Sequence, residues 1–215
     1  MARVGSFIKF DTSDVERLGQ TLGDITGAGL AVATVTALNA VVDRTYDLSR
    51  DRITTGIDLS DDYLRRRMSV ERATASKPVA SITASGARND MTVLGRFNAR
   101  PTVVPNRAPG KRKGFGALGI QPGSKQQGVT VEVRRGADAS VDRGFLMPLN
   151  KGAESGGNGF GVFARTKDGR LRHRYGPSVY QLFSYQIPRI TDEVADDLED
   201  TLLAEVDKQT QKAFE

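Results

Sequence analysis

The spacing of apolar residues changes twice along this chain of 215 residues, and that change limits the folds it can adopt. From about Ala28 to Thr54 the apolar residues recur every three or four positions, as in a helix that buries one face. In the middle of the chain apolar and polar residues alternate as in β-strands, most clearly over 129–133. Helical spacing returns after Thr191. We therefore predict an α+β fold, in which a long N-terminal helix and a C-terminal helix pack on one mainly antiparallel β-sheet.

Local signals place the smaller elements. Ser13 and Glu16 have the spacing of a capping box, and the glycines at 27 and 29 predict a break after the helix that it opens. Ser60, followed by two aspartates, predicts a short helix through Met68. Thr191 is the predicted N-cap of the C-terminal helix. The predicted strands are 79–84, 91–94, 129–133, 144–148 and 160–164, and a glycine-rich hairpin loop joins the last two.

The segment 98–127 has no usable periodicity, and it contains four prolines and three consecutive basic residues at 111–113. Unstructured segments of this length are uncommon in compact domains and usually serve a function or are disordered. We predict a single domain, 1–215, in which 98–127 forms an extended basic loop or arm.

The charge is distributed unevenly behind a net value of +5. Residues 190–215 carry nine carboxylates and two lysines, whereas the rest of the chain carries 29 basic and 17 acidic residues. This division suits nucleic-acid binding, and it equally suits contacts between identical subunits. Aromatic residues for base stacking are few in the basic segment 86–113. The candidate subunit or DNA contacts are Arg65, Arg66, Arg67, Arg107, Lys111, Arg112, Lys113, Asp192, Asp196, Asp197 and Asp200.

The sequence offers little for catalysis. It has no cysteine and one histidine, His173, which lies among three arginines that disfavour its protonated form. No phosphate-binding loop motif occurs, and no carboxylate spacing suggests a metal site. We predict a non-enzymatic protein without cofactor or metal. No stretch resembles a signal peptide, and the most apolar window, 28–42, is too short to span a bilayer, so we expect a soluble, unexported protein.

Read in order, several motifs resemble the phage minor tail protein Z (tail completion) family, over roughly 30–210. They are Ala37-Leu38-Asn39-Ala40 in the long helix, the segments 51–57 and 63–68, Leu94-Gly95-Arg96-Phe97, the strand 129–133, Phe163-Ala164-Arg165-Thr166 and the turn Gly176-Pro177-Ser178. Two features depart from the family pattern: the acidic C-terminal helix, and Arg172-His173-Arg174 where a more apolar pair is usual.

The resemblance implies a structural virion protein of the phage tail or neck, which completes the tail and helps join it to the head. It implies a ring around the DNA channel, six-fold by tail symmetry, and assembly in the host cytoplasm. The implied partners are further copies of the chain and the neighbouring tail terminator, tail tube or head–tail connector proteins, with non-specific contact to DNA in the channel and no contact with a membrane.

Two alternatives stay open at this point. The first is a DNA-binding protein, nucleoid-type or packaging-associated, that uses the basic loop; its affinity would fall steeply with added salt. The second is a hydrolase that uses Ser178 and His173, although Ser178 lacks the strand–turn–helix sequence context of a nucleophile elbow.

Overall fold

The computed structural model describes residues 6–10, 27–85, 91–107, 116–149 and 159–214. The chain forms two compact units. Unit 1 comprises Met1–Ile53, Leu64–Asp90 and Val179–Glu215, and unit 2 comprises Thr54–Tyr63 and Met91–Ser178. The capping box predicted at Ser13 and Glu16 lies outside the described residues, and the prediction of a single domain stays a prediction.

Helices lie near the two ends of the chain, and short strands lie mostly between them. The order is β1 (Ser6–Phe10), α1 (Gly27–Gly56), α2 (Asp61–Arg65), β2 (Met68–Glu71), β3 (Ala80–Ala84), β4 (Arg100–Pro105), β5 (Ser124–Arg134), β6 (Ala137–Asp142), β7 (Gly144–Pro148), β8 (Phe160–Arg165), β9 (Leu171–Arg174) and α3 (Val179–Phe214). Single 3₁₀ turns occur at Leu94–Arg96 and Gly116–Leu118. The α+β class and the two long helices are therefore confirmed.

In unit 1 the long helices α1 and α3 pack side by side in opposite directions. Ala33 and Ala37 of α1 are buried against Leu202 and Val206 of α3, and Leu30 and Leu198 flank this cluster. Alanines at the contact leave room for the neighbouring helix to approach closely. Further along, Arg44 pairs with Asp197. Arg52 pairs with Glu193, with 2.5 Å between Nη2 and Oε2.

The predicted start of the C-terminal helix at Thr191 was wrong. Helix α3 begins at Val179 and continues through Pro188, and the Thr191 hydroxyl donates to the Ile187 carbonyl at 2.7 Å as an interior helix residue does. Proline normally breaks a helix because it lacks the N–H and crowds the preceding turn. Here the fully buried side chains of Phe183 and Ile190 fix the helix on both sides of the proline, and this burial outweighs the local preference.

The described strands of unit 1 form a three-stranded antiparallel sheet with the order β1-β3-β2. Ile82 of the central strand is fully buried and lies opposite Ile8 on one side and Val70 on the other. Asn39 of α1 joins the segment after β2 to the helix, because its side-chain amide donates to the Ala73 carbonyl at 3.1 Å and accepts from the Ala73 N–H at 2.7 Å.

Unit 2 contains two further antiparallel sheets, with the orders β4-β5-β6 and β7-β8-β9. The predicted hairpin of 144–148 and 160–164 is confirmed as β7 and β8. The prediction of one sheet was wrong, since the described strands form three separate three-stranded sheets. Short strands interrupted by glycine and proline limit how far each ladder extends.

Three local predictions were also wrong. Residues 91–94 are no strand: Val93 makes a single bridge to Tyr175, and a 3₁₀ turn begins at Leu94. The short helix after Ser60 ends at Arg65, because Met68 is buried as the first residue of β2. The prediction of a loop over 98–127 was wrong in part: Arg100–Pro105 is the regular strand β4, and the last residues of the segment belong to β5, whereas 108–115 lie outside the described residues. The prolines of β4 are tolerated because β4 is an edge strand.

The Gly176 backbone lies against the ring of Phe97, which is fully buried in unit 2. The Gly176 N–H donates to the Thr92 carbonyl at 2.8 Å, which fixes the turn against the segment before the 3₁₀ turn. A β-carbon on Gly176 would lie 2.3 Å from Cε2 of Phe97, closer than any real contact allows. Close packing with an aromatic ring therefore explains the glycine of the Gly-Pro-Ser turn.

Candidate interaction surfaces

A groove of about 790 Å³ lies between the two sheets of unit 2. It is lined by the ends of β4, β5 and β8, by the turn between β6 and β7, and by the turn after β8. Four cationic side chains face it: Arg107, Lys125, Arg143 and Arg165. We call these four residues the basic groove. No carboxylate is among the described residues that line it.

The cations of the basic groove are exposed and largely unpaired. The side chains of Arg107, Lys125 and Arg143 make no ion pair or hydrogen bond with any residue in the described ranges. Arg165 lies 5.6 Å from the centre of the Phe145 ring, which is a cation–π distance. Four positive charges without a counter-charge repel one another and attract an anionic partner. The charge of the groove is therefore complementary to an acidic or anionic ligand.

The floor of the basic groove is rigid. Gln126 of β5 donates its amide to the Leu146 carbonyl at 3.1 Å and accepts from the Leu146 N–H at 2.7 Å, so a side chain continues the hydrogen bonding from one sheet to the other. Arg143 is held in the left-handed backbone region with φ of 54°. Gly144 follows it, because a β-carbon there would lie 2.7 Å from the Val141 carbonyl oxygen. This tight turn fixes the backbone that carries Arg143.

A row of four rings crosses the sheet β7-β8-β9, starting beside the basic groove. Phe145 lies opposite Phe163, and Phe163 lies opposite His173 in the strand register. The ring centres of successive members are 6.4, 4.5 and 4.3 Å apart, the last distance joining His173 and Tyr175. Antiparallel pairing assembles these rings from distant parts of the sequence. The row therefore places aromatic rings next to the basic groove, although the basic segment 86–113 itself contains few.

The surroundings of His173 are those of a packed structural side chain and not of a catalytic base. Its ring is stacked on Phe163 and lies at a tilt of 48° against the ring of Tyr175, and its Nε2 is buried with no hydrogen-bond partner among the described residues. Burial lowers the pKa of His173 below its usual value of 6.5, so the ring is neutral near pH 7. Ser178 is buried next to the start of α3, and no hydrogen bond joins it to His173 in the described part of the chain. The geometry gives no support to the hydrolase alternative.

The exposed side of α3 carries the second charged surface. Asp196, Glu199, Asp200 and Asp207 follow at the spacing of one helix face, with the exposed side chain of Leu203 between them. We call these four carboxylates the acidic face. None of the four makes an ion pair or hydrogen bond with a described residue, whereas Asp197 and Glu193 are used in the contacts with α1.

The structure distributes the residues predicted as contacts over both units. Arg65, Arg66 and Arg67 lie in unit 1 at the end of α2, whereas Arg107 lies in the basic groove of unit 2. Asp196 and Asp200 belong to the acidic face, and Asp197 is paired with Arg44. The predicted contacts Lys111, Arg112 and Lys113, and the side chain of Asp192, lie outside the described residues.

Sequence reasoning missed two members of the basic groove, Lys125 and Arg143. Each stands apart from the basic runs in the sequence, so no local signal marks it.

The structure also shows that the charge division follows the two units. Unit 2 carries 16 basic and 8 acidic residues, and unit 1 carries 15 basic and 18 acidic residues.

Comparison with known proteins decides the family. The family model for prophage minor tail protein Z (GPZ) matches residues 19–213, which is almost the whole chain. The chain belongs to the prophage minor tail protein Z family. No curated protein and no solved structure matches it.

Membership of the prophage minor tail protein Z family makes the chain a structural component of a phage tail and not an enzyme. The resemblance predicted from the order of the motifs is confirmed. Within the described ranges, no cluster of histidine, aspartate and glutamate side chains could hold a metal ion. No helix in those ranges is long and apolar enough to cross a membrane.

Proposed function

We propose that the chain forms a ring around the DNA channel at the head-proximal end of the tail, where it completes the tail and helps join it to the head. The chain's place in a phage tail follows from its family, and the opposite net charges of the two units support the ring. A ring requires a heterologous contact, in which one surface of a subunit binds a different surface of the next. A basic unit and an acidic unit on the same chain supply two such surfaces.

The partners proposed for this ring are further copies of the chain and the neighbouring tail terminator, tail tube or head–tail connector proteins. A hexamer would match the six-fold symmetry expected of a tail. The ring would belong to the virion and assemble in the host cytoplasm.

The oligomeric state tests this proposal. The mass of the purified chain is measured by light scattering after size-exclusion chromatography, alone and after incubation with isolated tail tubes. Electron microscopy then locates the bound protein. We expect a closed oligomer, or ring-shaped density at the head-proximal end of the tubes. A chain that stays monomeric and never associates with tubes would contradict the proposal.

DNA contact is a second candidate function, and the basic groove favours it. Four cations without an ion pair to a described residue would bind phosphates, and the affinity would fall steeply as salt is raised because counterions are released. Titration of a fluorescent DNA duplex at several salt concentrations measures this. Replacing Lys125 and Arg143 by glutamine should reduce the salt dependence, whereas replacing Arg172 and Arg174, exposed on β9 outside the groove, serves as the control. Equal effects of both pairs would show that the groove is no DNA site.

A further inference from the structure

Two charged surfaces of opposite sign lie in different units of the chain and lack partners within the described ranges. Within those ranges, the basic groove of unit 2 exposes four cations without an ion pair, and the acidic face of α3 in unit 1 exposes four carboxylates without one. We propose that the basic groove of one copy binds the acidic face of α3 of a second copy. The inference rests on the proposed ring and names the contact that builds it.

The two surfaces also match in their apolar parts. The basic groove contains Val104, Pro105 and Phe145 between its cations. The acidic face contains Leu203, which is 42% exposed although the helix buries Leu202 beside it. An apolar side chain surrounded by carboxylates fits an apolar floor surrounded by cations, and apolar contact at the centre with charges at the rim is the usual pattern of protein interfaces.

The lining of the basic groove matches a helix of the same chain better than it matches DNA. A phosphate backbone would satisfy the cations but would give Val104 and Pro105 no apolar partner. The opposite side of α3 is already packed within the chain, because Val194, Leu202 and Val206 are buried. The acidic face is therefore the side of α3 that is available to another molecule.

The proposed contact is heterologous, because the groove and the acidic face are different surfaces of the chain. Such a contact can repeat from copy to copy and closes into a ring when the rotation allows it. It predicts that a variant with reversed charges in the groove does not assemble alone, and that a variant with reversed charges on the acidic face does not either. A mixture of the two variants should assemble.

A charge exchange tests the contact in the full-length chain. One variant carries Lys125→Glu and Arg143→Glu, and the other carries Asp196→Lys and Asp200→Lys. Self-association is measured by sedimentation velocity over a range of concentrations. We expect each variant alone to associate roughly 100-fold more weakly than the wild type, since like charges then face each other. An equimolar mixture should recover association, because every contact again joins opposite charges.

Two controls separate this contact from a general charge effect. The pair Arg172→Glu and Arg174→Glu changes the net charge by the same amount at exposed positions outside the groove, and it should leave association unchanged. Leu203→Ser removes only the apolar centre and should weaken association, whereas Leu171→Ser, which replaces a similarly exposed leucine (47%) on β9, should not.

Cysteine cross-linking detects the contact even where association is weak, because the chain has no natural cysteine. Gln127→Cys lies in the groove lining and Leu203→Cys lies within the acidic face. A mixture of these two variants should form a disulfide-linked dimer under mild oxidation, both in solution and on tail tubes. Gln127→Cys mixed with Ala75→Cys, an exposed position in the turn after β2, is the matched control and should not.

The outcomes distinguish this inference from the proposed function. If the wild type forms a ring but the mixture of charge variants does not recover association and the cysteines do not cross-link, the inference is wrong and the ring uses other surfaces. If the groove variant loses DNA binding while association is unchanged, the groove is a DNA site. If the cysteines cross-link but no ring forms on tails, the contact exists and the proposed function is wrong.

Discussion

Replacement of Gly176 by alanine places a methyl group where the ring of Phe97 already lies. The added β-carbon would be 2.3 Å from Cε2 and 2.9 Å from Cζ of that ring. Phe97 is fully buried, so its ring cannot turn out into solvent to make room. The backbone has little freedom as well, because the Gly176 N–H is hydrogen-bonded to the Thr92 carbonyl. Either the ring or the turn has to shift.

The expected cost follows from this geometry. Forcing one extra carbon into a packed core destabilises a protein by about 1–3 kcal/mol. Two ring atoms lie within 3 Å of the new carbon, so we expect a value near the upper end. A loss of about 3 kcal/mol lowers the melting temperature of a chain of this size by roughly 6–12 °C.

Calorimetry and urea unfolding of the wild type and Gly176→Ala measure this loss. Gly56→Ala is the matched control, because no atom lies within 4 Å of the added carbon; it should leave stability unchanged or raise it by about 0.4–1 kcal/mol. Leucine at position 97 lacks the outer ring atoms, so Gly176→Ala should cost much less in a Phe97→Leu background. An equal cost in both backgrounds would refute the clash as the cause.

Three further predictions follow from single contacts. Asn39→Ala should lower the free energy of unfolding by about 1–3 kcal/mol, because the buried N–H and carbonyl of Ala73 lose their partners; urea unfolding measures it. His173→Gln should reduce the loss of stability that accompanies a fall in pH below about 6.5, the usual pKa of histidine. Gln126→Leu should leave the Leu146 backbone groups without their side-chain partner, and faster hydrogen exchange of the Leu146 amide would report it.

The sign of the pH effect at His173 follows from its lowered pKa. The unfolded histidine takes up a proton near its usual pKa of 6.5, whereas the folded one does so only at lower pH. Stability is therefore lost as the pH falls through this window, and glutamine, which does not titrate, removes that loss. An unchanged pH profile in the glutamine variant would show that His173 does not contribute to the pH dependence of stability.

For the Asn39 prediction, a variant at exposed Ala40 serves as the control.

The long helix and the central strands were predictable because their apolar periodicity is repeated over many residues. The strand β4 was not, since its two prolines suggested a loop and only pairing with β5 permits them at a sheet edge. The start of α3 was misplaced for a related reason. Pro188 and Thr191 are local signals for a helix boundary, and the burial of Phe183 and Ile190 overrides them.

Of the candidate contacts, the sequence located the acidic helix and part of the basic surface, because charge runs are visible without a structure. It gave no reason to join Arg107 and Arg165 with Lys125 and Arg143, which lie far apart in the chain. The glycine of the Gly-Pro-Ser turn was likewise visible as a motif, while its physical cause, the ring of Phe97, became evident only from packing.

The sequence by itself determined the α+β class, the family and the division of charge, because these depend on periodicity, motif order and composition, which are properties of the linear chain. The tertiary structure alone decided which cations share a groove, which carboxylates of α3 are free and why His173 is neutral. Those properties depend on distance and burial, and strand pairing brings together residues that the sequence separates.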